Sequence, residues 1–116
     1  MLGLTTNHRF YIHRGATDLR KGFDGLSGVI RQTLQSDPLD GSVYIFINRK
    51  RDRMKLLVWE PSGFVLYYKR LERGTFELPE WEGNTQKIQL KWETLMLLIS
   101  GISLKSVQRR RRYLRA

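Results

Sequence analysis

The chain has 116 residues, room for one domain around one hydrophobic core and not for two independent ones. It contains no cysteine, which excludes disulfides and thiolate chemistry and points to a reducing, cytoplasmic setting. A formal charge of +10 points to a polyanionic partner, nucleic acid ahead of an acidic protein or an anionic membrane surface.

In chain order, residues 1–7 form a short polar lead-in without the basic start and continuous apolar run of a signal peptide. His8 to His13 reads as a strand with Phe10 and Ile12 on one face. Its two histidines fall on opposite faces and cannot share a metal ion, so both are read as surface or half-buried side chains. Thr17 or Asp18 then offers an N-cap, and Leu19, Phe23, Leu26, Ile30 and Leu34 follow as one apolar helical stripe. Gly22, Gly25 and Gly28 interrupt this helix, each at up to about 1 kcal/mol relative to alanine, which suggests close packing against a sheet or a break near Gly25. Arg14, Arg20, Lys21 and Arg31 are read as a solvated helix face rather than a ligand surface. Pro38 and Gly41 end the helix and turn the chain onward.

From Gly41 to Arg73 the pattern is a three-stranded antiparallel meander. Val43 to Ile47, Met54 to Trp59 and Phe64 to Tyr68 are strand-sized runs rich in β-branched and aromatic residues. Glu60-Pro61-Ser62-Gly63 is a well-marked turn, whereas Arg49-Lys50-Arg51-Asp52 has no glycine and leaves its geometry open. Antiparallel return brings Lys69, Arg70 and Arg73 back to the end that carries Arg49, Lys50, Arg51 and Arg53. Seven basic groups then share one rim with only Asp52 and Glu72 as acids. Such a rim repels itself unless a polyanion neutralises it. Trp59, Tyr67 and Tyr68 are expected nearby.

Beyond the meander, Thr75 to Leu78 reads as a short strand, 79–84 as an acidic loop with Trp81 closing over the core, and Gln86 to Gln89 as an edge strand. Lys91 to Ser100 reads as a second helix with a wide apolar arc and Gly101 as its stop. Its apolar run, Leu95 to Ile99, is too short to cross a bilayer. From Leu104 onward Lys105, Arg109, Arg110, Arg111, Arg112 and Arg115 stand without an acid. That leaves 15 basic groups against 11 acids before Leu104. The tail is expected to be disordered or to form a helix on binding. The expected fold is α+β: residues 1–103 as one domain, with an antiparallel sheet of about four to six strands and one or two helices on one face, and 104–116 as a flexible basic tail.

No catalytic motif stands out. There is no phosphate-binding glycine loop, no metal-ligand spacing and no nucleophile elbow, and the acids sit at caps, turns and loop edges. No cofactor is implied. Nor is there a helix-turn-helix, zinc finger or aromatic RNA-binding signature, so the basic groups supply phosphate contacts without sequence readout.

Three strings carry a resemblance to a known family. Thr17-Asp18-Leu19-Arg20-Lys21-Gly22-Phe23-Asp24-Gly25-Leu26 is the first. The second is Arg53-Met54-Lys55-Leu56-Leu57-Val58-Trp59-Glu60 with Ser62-Gly63-Phe64 and Lys69-Arg70-Leu71-Glu72-Arg73-Gly74-Thr75-Phe76. The third is Leu97-Leu98-Ile99-Ser100-Gly101-Ile102. Together they resemble, in order and over nearly the whole chain, the accessory protein (TnpB or Orf2) of bacterial insertion sequences of family sixty-six. Glu60, Lys91 and Ser103 depart from its usual residues. The resemblance implies a small protein encoded beside a separate DDE-type transposase and serving transposition of the element.

The leading expectation is a non-enzymatic DNA-binding accessory factor acting at the element ends or recruiting the transposase to them. Arg49, Lys50, Arg51, Arg53, Lys69, Arg70 and Arg73 would grip phosphates from the rim, and Lys105 and Arg109 to Arg112 from the tail. The alternative is an interaction module whose main partner is the transposase, with Trp81 and its acidic loop as the contact. A metal-dependent nuclease is the third and weakest reading, since it needs converging carboxylates.

Overall fold

The computed structural model describes residues 3–81 and 83–101. Five strands, β1 (Phe10–His13), β2 (Val43–Ile47), β3 (Arg53–Glu60), β4 (Gly63–Arg70) and β5 (Lys87–Leu90), form one sheet in the order β4-β3-β2-β1-β5. Two helices, α1 (Phe23–Gln32) and α2 (Trp92–Ile99), complete an α+β fold. The meander is as its residues dictate, with β2, β3 and β4 pairing antiparallel and Glu60 opposite Gly63 across the Pro61-Ser62 turn. The expected edge strand is β5, antiparallel to β1. The sheet is mixed rather than wholly antiparallel, because α1 carries the chain over the sheet between β1 and β2 and so makes that pair parallel.

Every residue of β2 is buried, and its alternate side chains enter two separate cores. Val43, Ile45 and Ile47 join Phe10, Ile12, Met54, Leu56 and Val58 against Leu95, Leu98 and Ile99 of α2. Tyr44, Phe46 and Leu57 join Leu26 and Ile30 of α1 with Leu19 and Leu34. The helices therefore cover opposite faces, where one shared face was expected. A strand that is apolar on both sides cannot leave either one in water.

The first helix begins later than its sequence suggests. Thr17 does not cap it, because its hydroxyl is held by the buried His13 ring at 3.0 Å. Asp18 instead closes a local turn on the Arg20 backbone and guanidinium. The Lys21 carbonyl, which would accept the Gly25 N–H in a longer helix, accepts the Lys55 ammonium at 2.9 Å. Helical bonding starts at Phe23 with Gly22 as N-cap. A side chain at Gly25 would meet Cβ of Lys21 at 2.9 Å, so glycine permits the chain to fold this closely onto the helix. Leu19 still packs into the α1 core from this preceding segment, whereas Phe23 of the expected stripe is exposed. Arg14, Arg20 and Lys21 likewise precede the helix, and Arg31 alone lies on it.

Residues 75–78 form no strand, yet Phe76 is fully buried and its N–H donates to the Arg51 carbonyl. Trp81 packs over the α2 core as a lid, its indole N–H bonded to the Thr85 carbonyl. After α2, Gly101 adopts φ +72°, the left-handed stop its position suggests, and Leu71 sits 3.0 Å from where a Cβ would be.

Tyr44 provides a test of the packing. Burial first, and then the Asp40 carboxylate 2.9 Å away, push its hydroxyl above the usual value of 10.0. The native state thus keeps a proton that the unfolded chain sheds, so this stability is complete below about pH 10 and is lost progressively above it. Urea unfolding at about pH 9 and about pH 11 should show a fall in stability for the natural protein that is smaller in Tyr44→Phe, the variant itself losing about 1 kcal/mol at neutral pH.

Candidate nucleic-acid interface

The pairing brings the C-terminal ends of β1, β2 and β4 and the N-terminal ends of β3 and β5 to one end of the sheet. There an open cleft of about 940 Å³ lies between two segments. One wall is 16–20, leading from β1 towards α1. The other is the β2–β3 turn with Asn48, Arg49, Lys50 and Asp52, and Arg53 and Tyr68 reach in from the sheet.

The β2–β3 turn is ordered by one side chain. Arg51 N–H closes it on the Asn48 carbonyl at 3.0 Å. The Asn48 side-chain oxygen accepts the backbone N–H groups of Asp52 and Arg53, and its amide donates to the Asp52 carboxylate at 2.7 Å. That last bond is the main reason the Asp52 carboxyl lies below the usual carboxylate value. Arg51 occupies φ 59°, a conformation that costs a non-glycine residue roughly 1–2 kcal/mol. Its carbonyl and that of Asp52 hold Phe76 and Leu71, tying the turn to the segment after β4. Arg49 and Lys50 are left exposed at the two central turn positions.

The expected rim residues divide into distinct environments. Arg49, Lys50, Arg51, Arg53 and Arg73 are exposed and form no ion pair among the described residues. Arg53 and Arg70 face one another across the β3–β4 ladder, an arrangement in which like charges repel. Arg53 turns to the Tyr68 hydroxyl at 2.9 Å, and Arg70 pairs with Glu72 at 2.9 Å. Lys69 is not part of this surface. Strand alternation sends it to the α2 side, where its ammonium donates to the Ile99 carbonyl at 2.7 Å and neutralises the negative end of that helix. Lys105 and Arg109 to Arg112 lie outside the described residues.

Of the expected aromatics, Tyr68 alone lies at the cleft. Tyr67 packs into the α2 core, and Trp59 stacks edge-on against Phe64 near the far end of β3, roughly 20 Å away along the strand. Arg20, read from sequence as part of a solvated helix face, stands in the cleft wall bonded to Asp18 at 2.7 Å. This pairing holds the Asp18 carboxyl down at about 2. Burial lowers the pKa of His13, whose Nδ1 partner is Thr17. Among the described residues no group of three or more His, Asp and Glu side chains is placed to hold a metal ion, and no helix is long and apolar enough to cross a membrane.

The family described as IS66 Orf2 like protein matches residues 8–109. The chain belongs to this family. Two relatives from Sinorhizobium fredii (strain NBRC 101917 / NGR234) align over almost their whole length. Uncharacterized protein y4hO is 35% identical over 93% of this chain and 92% of its own. Uncharacterized protein y4jC is 28% identical over 95% of this chain and 92% of its own. No solved structure matches. Membership supports an accessory role in the transposition of an insertion sequence. In this IS66 Orf2-like chain, the 17–26 string that carried the resemblance builds one cleft wall and the start of α1, and the 53–60 string is β3.

Two substitutions separate the side chains that serve the fold from the exposed cations. Asn48→Ala removes the organising amide of the turn and is expected to lower stability by about 1–3 kcal/mol in thermal or urea unfolding. Lys69→Met keeps the apolar stem but loses the α2 cap; it is expected to cost about 1 kcal/mol and to leave any nucleic-acid affinity unchanged.

Proposed function

We propose that this protein is a non-catalytic transposition accessory factor that grips DNA phosphates with the cleft end of its sheet. The observation that carries this reading is the set of exposed cations at that end, Arg49, Lys50, Arg51, Arg53 and Arg73, with no ion pair among the described residues. The turn bearing three of them is fixed by Asn48 at the expense of a left-handed Arg51. An ordered array of repelling charges gains free energy when phosphates neutralise it and condensed counterions are released. Phosphate contacts position a protein without reading bases, so affinity is expected to be similar for a terminal-repeat duplex and a random one.

The rival reading, a module that binds the transposase alone, has less to rest on. Its candidate contact, Trp81, is occupied as a lid over the α2 core.

Fluorescence anisotropy on labelled duplexes across a salt series tests the proposal. The double substitution Arg49→Glu, Lys50→Glu is expected to weaken binding more than tenfold and to reduce the salt slope by about two, on the order of one unit per lost phosphate contact. Duplex affinity unchanged by that substitution, or absent from the natural protein at moderate salt, overturns it.

A further inference from the structure

Tyr68 brings an aromatic ring to the cationic end of the sheet. It leaves 48% of its surface exposed, on the sheet face that α1 fails to cover at this end. Its ring is nevertheless held from two directions. The hydroxyl accepts the Arg53 guanidinium at 2.9 Å, and the Lys55 ammonium lies 4.8 Å from the ring centroid. Lys55 is itself buried and anchored on the Lys21 carbonyl at 2.9 Å, so the support beside the ring is fixed by the backbone just beyond the opposite wall. A cation beneath one side of an aromatic ring leaves the other side as a flat, polarised platform.

The cleft that Tyr68 lines carries Arg20, Arg49, Lys50 and Arg53 against the two carboxylates Asp18 and Asp52. Both carboxylates already have partners, Asp18 in Arg20 and Asp52 in Asn48. A cleft of about 940 Å³ lies at the upper end of the range for small-ligand sites and exceeds what a single phosphate group needs. Phosphate binding requires no aromatic surface. A base does, and only when it has left the duplex, because the faces of paired bases are covered by their neighbours.

We propose that the cleft receives an unpaired nucleotide of DNA, with the base stacked on Tyr68 and the flanking phosphates held by Arg49, Lys50 and Arg53. This rests on the DNA-binding reading above and adds a preference for single-stranded or frayed DNA over intact duplex. Recognition through a ring face is tolerant of base identity, so the preference is for strand state and not for sequence.

The test compares three probes on the intact protein: a 12-nucleotide oligothymidine strand, a strand of the same length with abasic sites throughout, and a 12-base-pair duplex. The natural protein is expected to bind the oligothymidine on the order of tenfold more tightly than the abasic strand. Tyr68→Ala should erase that difference, and Tyr68→Phe, which loses the same hydroxyl contact with Arg53 but keeps the ring, should preserve it. Equal binding of oligothymidine and abasic strand by the natural protein overturns the proposal without needing any variant to fold. So does a difference that survives in Tyr68→Ala. If either occurs while the duplex is still bound through Arg49 and Lys50, the nucleotide cleft alone falls; absence of binding to all three probes removes the DNA-binding reading with it.

Discussion

The structure depends on one strand that must be dry on both sides. Once Val43 to Ile47 is apolar at every position, each face of the sheet needs a helix, and the described residues form two. That constraint places α1 on the Tyr44 and Phe46 side and α2 on the Val43, Ile45 and Ile47 side. With α1 crossing between β1 and β2, those strands run in the same direction and their ends emerge together. The helix is only ten residues long and starts at Phe23, too short to roof its whole face. The uncovered end is the cleft, so the candidate site is the remainder left by core formation and not a separate construction.

The charges at that end are arranged at a cost to the isolated molecule. Arg53 opposite Arg70, Arg51 in the left-handed region and Lys55 buried beneath Tyr68 each work against stability alone. Each is met locally: by the Tyr68 hydroxyl and Glu72, by the Asn48 amide, and by the Lys21 carbonyl. The compensations hold positions without cancelling the exposed positive charge. Lys69 shows the contrast, because there the ammonium caps a helix and its charge serves the fold.

Much of this was legible in the sequence, for identifiable reasons. The meander is written in β-branched and aromatic runs and in a Pro-Ser-Gly turn, and its return necessarily gathers the cations at one end. The second helix and its Gly101 stop follow from an apolar arc and one glycine. The sides taken by the helices were missed although a signal existed, since Val43 to Ile47 lacks the polar alternation of a half-exposed strand. Lys69 was misplaced for a related reason: neighbours on a strand face opposite ways, so Lys69 and Arg70 cannot share one surface. The helix start was hidden, because nothing local reveals that Thr17 is committed to His13 and the Lys21 carbonyl to Lys55, a residue 34 positions away. With the start misread, Arg20 was assigned to a helix face and not to the cleft.

The pairing of β1 with β5 joins residues as distant as Phe10 and Leu90. The meander, by contrast, closes through short connections. Local pairings form early because little chain entropy is lost, and a ladder spanning most of the chain forms late. One cleft wall is carried by the meander and the other hangs from β1. The cationic turn closes within the meander, whereas the opposing wall depends on β1 reaching β2 across α1, a pairing of much greater loop length that costs more chain entropy.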